Sequence, residues 1–254
     1  MNRIALTFFL AALGTLHGQP AFEAVSIKAA APGRRGMGMN VSPGRIRIIN
    51  SSLKLCIQMA WDVREFQVSG ATGWMDTEHY DIDAVAADRF KQDEYRQMLQ
   101  AMLTDRFGLT IHREQQERSG YALVVAKSGA KLPPATDDPD IVFGRTNSGD
   151  RTLKAKNAML NDLANALGTT LGAPVVDRTG IEGRFDVSLQ WTPDPALDRM
   201  ISKEGMPVPP PSSDAPAGPG IFTVLQDKLG LKLEARKVPV EVIVIDRASR
   251  PSGN

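Results

Sequence analysis

The chain has one cysteine in 254 residues. A single thiol cannot close an internal disulfide, so a stapled, loop-rich fold is excluded. Histidine is nearly as scarce, with His17, His79 and His112 the three present. No His-Glu-x-x-His pair occurs, and no Gly-x-Ser-x-Gly elbow, Walker loop or Gly-x-Gly-x-x-Gly turn. Charge of one sign is also missing: 30 basic residues face 29 acidic ones. Such a balance leaves no electrostatic footprint for nucleic acid or an anionic membrane. Nothing in the sequence calls for a cofactor.

Long apolar runs are absent but for one. "IALTFFLAALGTL" follows a short basic start, "MNR", and gives way to the polar "HGQPAFE". It is too short for a membrane helix, which needs roughly twenty apolar residues, and has the flanks of a secretory signal. Residues 1–18 are therefore expected to be a signal peptide, cleaved near Gly18–Gln19, and the protein to be periplasmic or secreted without an integral membrane segment. The remaining composition, 42% hydrophobic and 23% charged over the whole chain, is that of an ordinary globular protein.

A repetition is present. "TGWMDTEHYDI" (Thr72–Ile82) returns as "TGIEGRFDV" (Thr179–Val187), each a Thr-Gly, a large apolar residue and then aromatic-Asp-aliphatic. "PGRIRIINSSL" is answered by "GDRTLKAKNAML", and "MLQAMLTDRFGLTIHRE" by "VLQDKLGLKLEAR". Self-similarity of this kind fixes the architecture before any single element does. The periodicities predict the same order twice: hairpin, helix, two strands, helix, two strands. The expected fold class is α+β with an internal duplication, helices packed on antiparallel sheets. Residues 19–135 and 136–254 form its halves, sharing a core because each alone is small. Asn50 or Ser51 is placed to cap the first helix, and Gly108 and Gly230 to stop later ones. One stretch breaks the symmetry: residues 192–220, rich in Pro, Ser, Gly and Ala, read as an exposed disordered loop.

The densest polar constellation is Asp76, Glu78, His79, Asp81 and Asp83. Asp81 and Asp83 share one strand face, and with Asp76 and His79 they are the candidate ligands for a metal. The second half has Ser188 opposite Asp83 and no His, so such a site would belong to one half. Because Asp81 recurs as Asp186, the simpler role for both is to accept backbone N–H bonds from the Thr-Gly turn. Trp61 and Trp74 are candidates for lining a sugar or peptide pocket, with core packing the commoner fate. Trp191 ends an alternating strand and is expected in the core. Cys56 lies on the stripe Leu53, Cys56, Ile57, Ala60 and reads as a buried small hydrophobe. His112 reads as a surface residue on the polar side of its strand.

The segments "FEAVSIK", "TGWMDTEHYDIDA", "MLQAMLTDRFGLTIHRE", "YALVVAKSGAKL", "PVVDRTGIEGRFD" and "LGLKLEARKVPVEVIVIDRASRPS" resemble those of soil-associated exported proteins grouped as a domain of unknown function, expanded in acidobacteria. The resemblance implies export and a large paralogous set. In some members it implies a similar domain following a membrane metallopeptidase of the β-lactam-sensor type, a part this chain lacks. It assigns no catalytic residues. The helix-strand unit is also similar to the short N-terminal modules of secretins and TonB-dependent receptors. The expected function is an exported non-enzymatic binding or interaction module. Its partner would be an envelope protein, peptide or glycan, met between the halves or on an exposed sheet edge. The alternatives are a metal-assisted hydrolase of envelope polymers using the Asp76–Asp83 region, and a structural envelope protein.

Overall fold

The computed structural model describes residues 21–251, apart from 35, 88, 92–93, 137, 147–148 and 194–217. The expected signal peptide and most of the 192–220 loop lie outside the described residues. The fold is α+β. A first sheet has the order β1 (Ala24–Ala29), β5 (His79–Val85), β3 (Arg45–Ser52), β2 (Gly38–Ser42), all antiparallel. A second has the order β10 (Phe185–Trp191), β8 (Arg151–Ala158), β7 (Asp140–Arg145). Between them runs a third, ordered β4 (Val68–Ser69), β11 (Leu231–Arg247), β6 (Thr110–Val125), β9 (Val175–Asp177).

The helices follow their apolar stripes. In α1 (Leu53–Trp61), Leu53, Cys56, Ile57 and Ala60 are buried. Its cap is Ser52, whose hydroxyl accepts the Leu55 N–H at 3.2 Å, rather than Asn50 or Ser51. In α3 (Glu94–Phe107) the apolar stripe Tyr95, Met98, Leu99, Met102, Leu103 and Phe107, spaced as one helical face, is buried. A single turn, α2 (Trp74–Thr77), precedes β5. In the second half α4 (Leu160–Leu171) matches α1 in place. The last helix among the described residues, α5 (Ile221–Val224), widens into a π-helical turn over Leu225–Leu229 before Gly230 ends it in the left-handed region.

Two expectations are corrected. "LTIHRE…YALVVAK" and "LKLEARKV…VEVIVIDRA" each read as a strand pair, yet each is one long strand, β6 and β11. They pair antiparallel along nearly their whole length, so hydrogen bonds to the partner take the place of a turn. Pro239 is accommodated inside β11 because β4 joins that edge only at Ile243 and Val244. The second correction concerns the core. Instead of one shared core there are separate apolar clusters in the two halves, and each borrows from the other. Tyr121 and Leu123, of the first half, lie in the second cluster; Ile243 and Ile245, of the second half, lie in the first. A third, small cluster around Val238, Val240 and Val242 sits along the ribbon.

The crossing has a definite register. β4 pairs parallel to β11, Val68 opposite Ile243, and β9 pairs parallel to β6, Val175 opposite Tyr121. Counted from Gly108 and Gly230, Tyr121 and Ile243 occupy the same position; counted back from the two Thr-Gly pairs, so do Val68 and Val175. Each short strand is thus held by the other half's long strand. Among the described residues of the second half, β1 and α2 have no counterparts.

Candidate functional site

The outer face of the first sheet is a consequence of strand alternation. In β3, Ile46 and Ile48 turn to the core, which leaves Arg45 and Arg47 outward. In β5, Tyr80, Ile82 and Ala84 turn inward, leaving Asp81 and Asp83 outward. β1 adds Ser26 opposite Asp83 and Lys28 opposite Asp81. The loop after β1 then folds over this face and brings Arg34 onto it. The result is a half-open concavity of about 600 Å³, lined by Lys28, Arg34, Arg45, Arg47, Asp81 and Asp83 among others. Among the described residues the second sheet has three strands, with no counterpart of β1 or of that loop.

Each carboxylate is engaged. Asp83 accepts a two-point bond from Arg45, Nε to Oδ1 at 2.7 Å and Nη2 to Oδ2 at 2.5 Å, and a third from Arg47 at 3.2 Å. The Arg45 hydrogen bond, reinforced by Arg47, holds the Asp83 carboxyl below its usual pKa range. Asp81 accepts from Arg34 Nη1 at 2.5 Å and from the backbone N–H of Asn50 at 2.9 Å. The four cations exceed the two carboxylates by two charges, and every partner in these ion pairs is at least 32% exposed to solvent. Such pairs are weak and exchangeable in water.

The recurrent aspartate is a backbone acceptor, but for a different backbone than expected. Asn50 and Asn157 both adopt positive φ, 52° and 44°. The N–H of Asn50 goes to Asp81 Oδ1, and that of Asn157 to Asp186 Oδ1 at 2.8 Å. The bonds therefore run across the sheet to the bulged end of the hairpin, not back into the Thr-Gly turn. At Asp186 the hydroxyl and N–H of Thr136 stand where Arg34 stands at Asp81.

The other sequence candidates fall outside the concavity. Asp76 lies 3.7 Å from Lys54 Nζ, and His79 donates from Nδ1 to the Thr77 carbonyl at 3.0 Å. Among the described residues no group of three or more His, Cys, Asp or Glu side chains is placed to hold a metal ion. Trp61 and Trp74 are half-buried against the first core. The Arg250 guanidinium lies 5.2 Å over the Trp74 ring and grips both oxygens of Glu78, which also accepts from the Tyr80 hydroxyl at 3.0 Å. His112 is about half exposed, 2.8 Å from Asp246. Cys56 is buried, and desolvation pushes its thiol up to about 12. Lys28, Arg45 and Arg47 were legible as outward residues of alternating strands; Arg34, on a loop, carried no such signal.

Residues 54–248 match a family described as a protein of unknown function (DUF3738). The chain belongs to that family. Asp81 and Asp83 fall inside the DUF3738 span, whereas Lys28, Arg34, Arg45 and Arg47 precede it. No curated protein and no solved structure matches the chain. Among the described residues no helix is long and apolar enough to cross a membrane.

Acid is expected to weaken the fold. Asp83, Asp186 and Glu78 all have pKa values lowered in the folded protein, first by hydrogen bonds from Arg45, Thr136 and Arg250 respectively. Their stabilisation is complete above the unfolded carboxyl range and is lost as pH falls through the lowered values. Urea midpoints measured from pH 7 to pH 3 should hold steady to about pH 5 and drop below about pH 4. An unchanged midpoint at pH 3 would contradict these assignments.

Proposed function

We propose that the protein is an exported binding module whose recognition surface is the concave outer face of the first sheet, and that its ligand is acidic. The observation that carries this is the excess of four cations over two carboxylates on one open, concave face. A ligand carboxylate or phosphate would take over guanidinium N–H groups that Asp81 and Asp83 hold only weakly, in two-point fashion. The leader-like residues 1–18 and the resemblance to exported proteins support a location in the cell envelope. The halves arose by doubling of one unit. The repeated element order, the equal strand registers and the paired Asn50–Asp81 and Asn157–Asp186 bonds support that descent.

The test uses the chain from residue 19 onward, with poly-glutamate and inorganic phosphate as probes and calorimetry as readout. Binding of poly-glutamate at low salt is expected, weakening severalfold toward 0.5 M NaCl, where the screening length falls to about 4 Å. The double variant Arg45→Gln/Arg47→Gln should weaken it about tenfold while keeping its melting temperature within a few degrees, about the range for exposed pairs. Undiminished binding by that variant would sink the reading, and so would no binding of either probe by the wild type.

A further inference from the structure

A second concavity, of about 420 Å³, lies between the halves, away from the cationic face. The short 3-10 turn Glu65–Gln67 of the first half forms one wall, and α4 of the second half the other. Phe66, Val176 and Val240 supply an apolar floor.

Its polar groups are poised outward. Asn161 and Asn165 stand one helical turn apart on the exposed side of α4, and their side-chain amides engage no partner among the described residues. Arg64 donates from Nε to the Thr169 hydroxyl at 2.9 Å, which fixes its guanidinium across the junction of the halves. Among the described residues no carboxylate pairs with Arg64. Its neighbour Asp62 pairs with Arg96 instead, at 3.1 Å.

We infer that this crevice binds an extended peptide segment bearing a carboxylate. The two asparagine Cβ positions are about 5–6 Å apart on a helix. The repeat of alternate residues in an extended chain is about 6.4–6.8 Å. A primary amide offers one acceptor and a donor pair, the complement of a backbone C=O and N–H. Asn161 and Asn165 can therefore bond successive peptide groups on one side of an extended chain. The apolar floor takes the side chains that point down, and the terminal nitrogens of Arg64 take the carboxylate in two-point fashion. A C-terminal carboxylate and an Asp or Glu side chain present the same chemistry. An anionic sugar would satisfy Arg64 but has no amide repeat for the asparagine pair.

The experiment screens the chain from residue 19 onward against three probes. They are a random hexapeptide library with free C-termini, the same library amidated with one internal Asp, and digalacturonate. Hits are titrated by NMR on labelled protein. Peptides from the first or second library should enrich, telling a terminal from a side-chain carboxylate, and should shift Asn161, Asn165 and Val176. Asn161→Ala/Asn165→Ala should weaken them about tenfold or more, and Arg64→Gln should abolish the preference for the carboxylate over its amide. These residues are exposed, and a melting curve for each variant confirms that folding is kept. No enrichment from either library overturns the inference, as do hits that leave the crevice resonances unmoved or bind Arg64→Gln equally well. Digalacturonate binding there without any peptide also overturns it. Inorganic-phosphate binding kept by Arg64→Gln and lost by Arg45→Gln/Arg47→Gln separates this site from the cationic face.

Discussion

Gly120→Ala is expected to destabilise the protein by about 3 kcal/mol or more, the upper range for overpacking. A Cβ at Gly120 would lie 2.3 Å from the Pro174 carbonyl oxygen, 2.7 Å from Pro174 Cγ and 3.0 Å from Val238 Cγ2. The first of these is main chain and cannot swing aside. The same carbonyl accepts the Tyr121 N–H at 2.8 Å, at the point where β9 joins β6. The added methyl would therefore push the second half's short strand off the first half's long one. Gly38→Ala is the control, since a Cβ there meets nothing within 4 Å. It should change stability by less than about 0.5 kcal/mol. Urea titration of both variants checks the pair; equal midpoints would refute the close approach at Gly120.

Ile243→Ala should cost about 2–5 kcal/mol, the range for truncating a buried aliphatic side chain. Its diagnostic content lies in where the loss is felt. Ile243 belongs to the second half by sequence, is 1% exposed, and packs in the first half's core. Trp61 and Trp74 report on that core and Trp191 on the other. In single-tryptophan backgrounds the substitution should move both reporters to the same lower urea midpoint. Were Trp191 alone to shift, Ile243 would have to pack with its own half and the crossing would be refuted.

Much of the framework was legible from residue pattern. The stripe Tyr95 to Phe107 is buried as its spacing required, and Phe185 to Trp191 alternates as a half-buried strand should. Pro43-Gly44 turns the first hairpin, with Gly44 at φ 81°. What stayed hidden was non-local. Periodicity in "LTIHREQQERSGYALVV" says which residues face inward, not which core they face. Tyr121 and Ile243 look alike whether they close their own half or the other. The polar run Gln115–Gly120 reads as a turn because nothing local shows that β11 will pair with it. The site divides the same way. Arg45, Arg47, Asp81 and Asp83 were outward by alternation, but Arg34 reaches Asp81 through a loop whose path no pattern marks. Asn50 and Asn157 carried the one overlooked signal. Asn is the side chain most at ease at positive φ after glycine, and it stands at the same place in both halves.

The crossing of β4 onto β11 and β9 onto β6 makes each half's core incomplete without the other chain segment. Separate production of residues 19–135 and 136–254 tests this most directly. Neither piece alone should show a cooperative urea transition, and mixing the two should restore one near that of the intact chain. A piece that unfolds cooperatively by itself, with a midpoint close to that of the whole protein, would contradict the account.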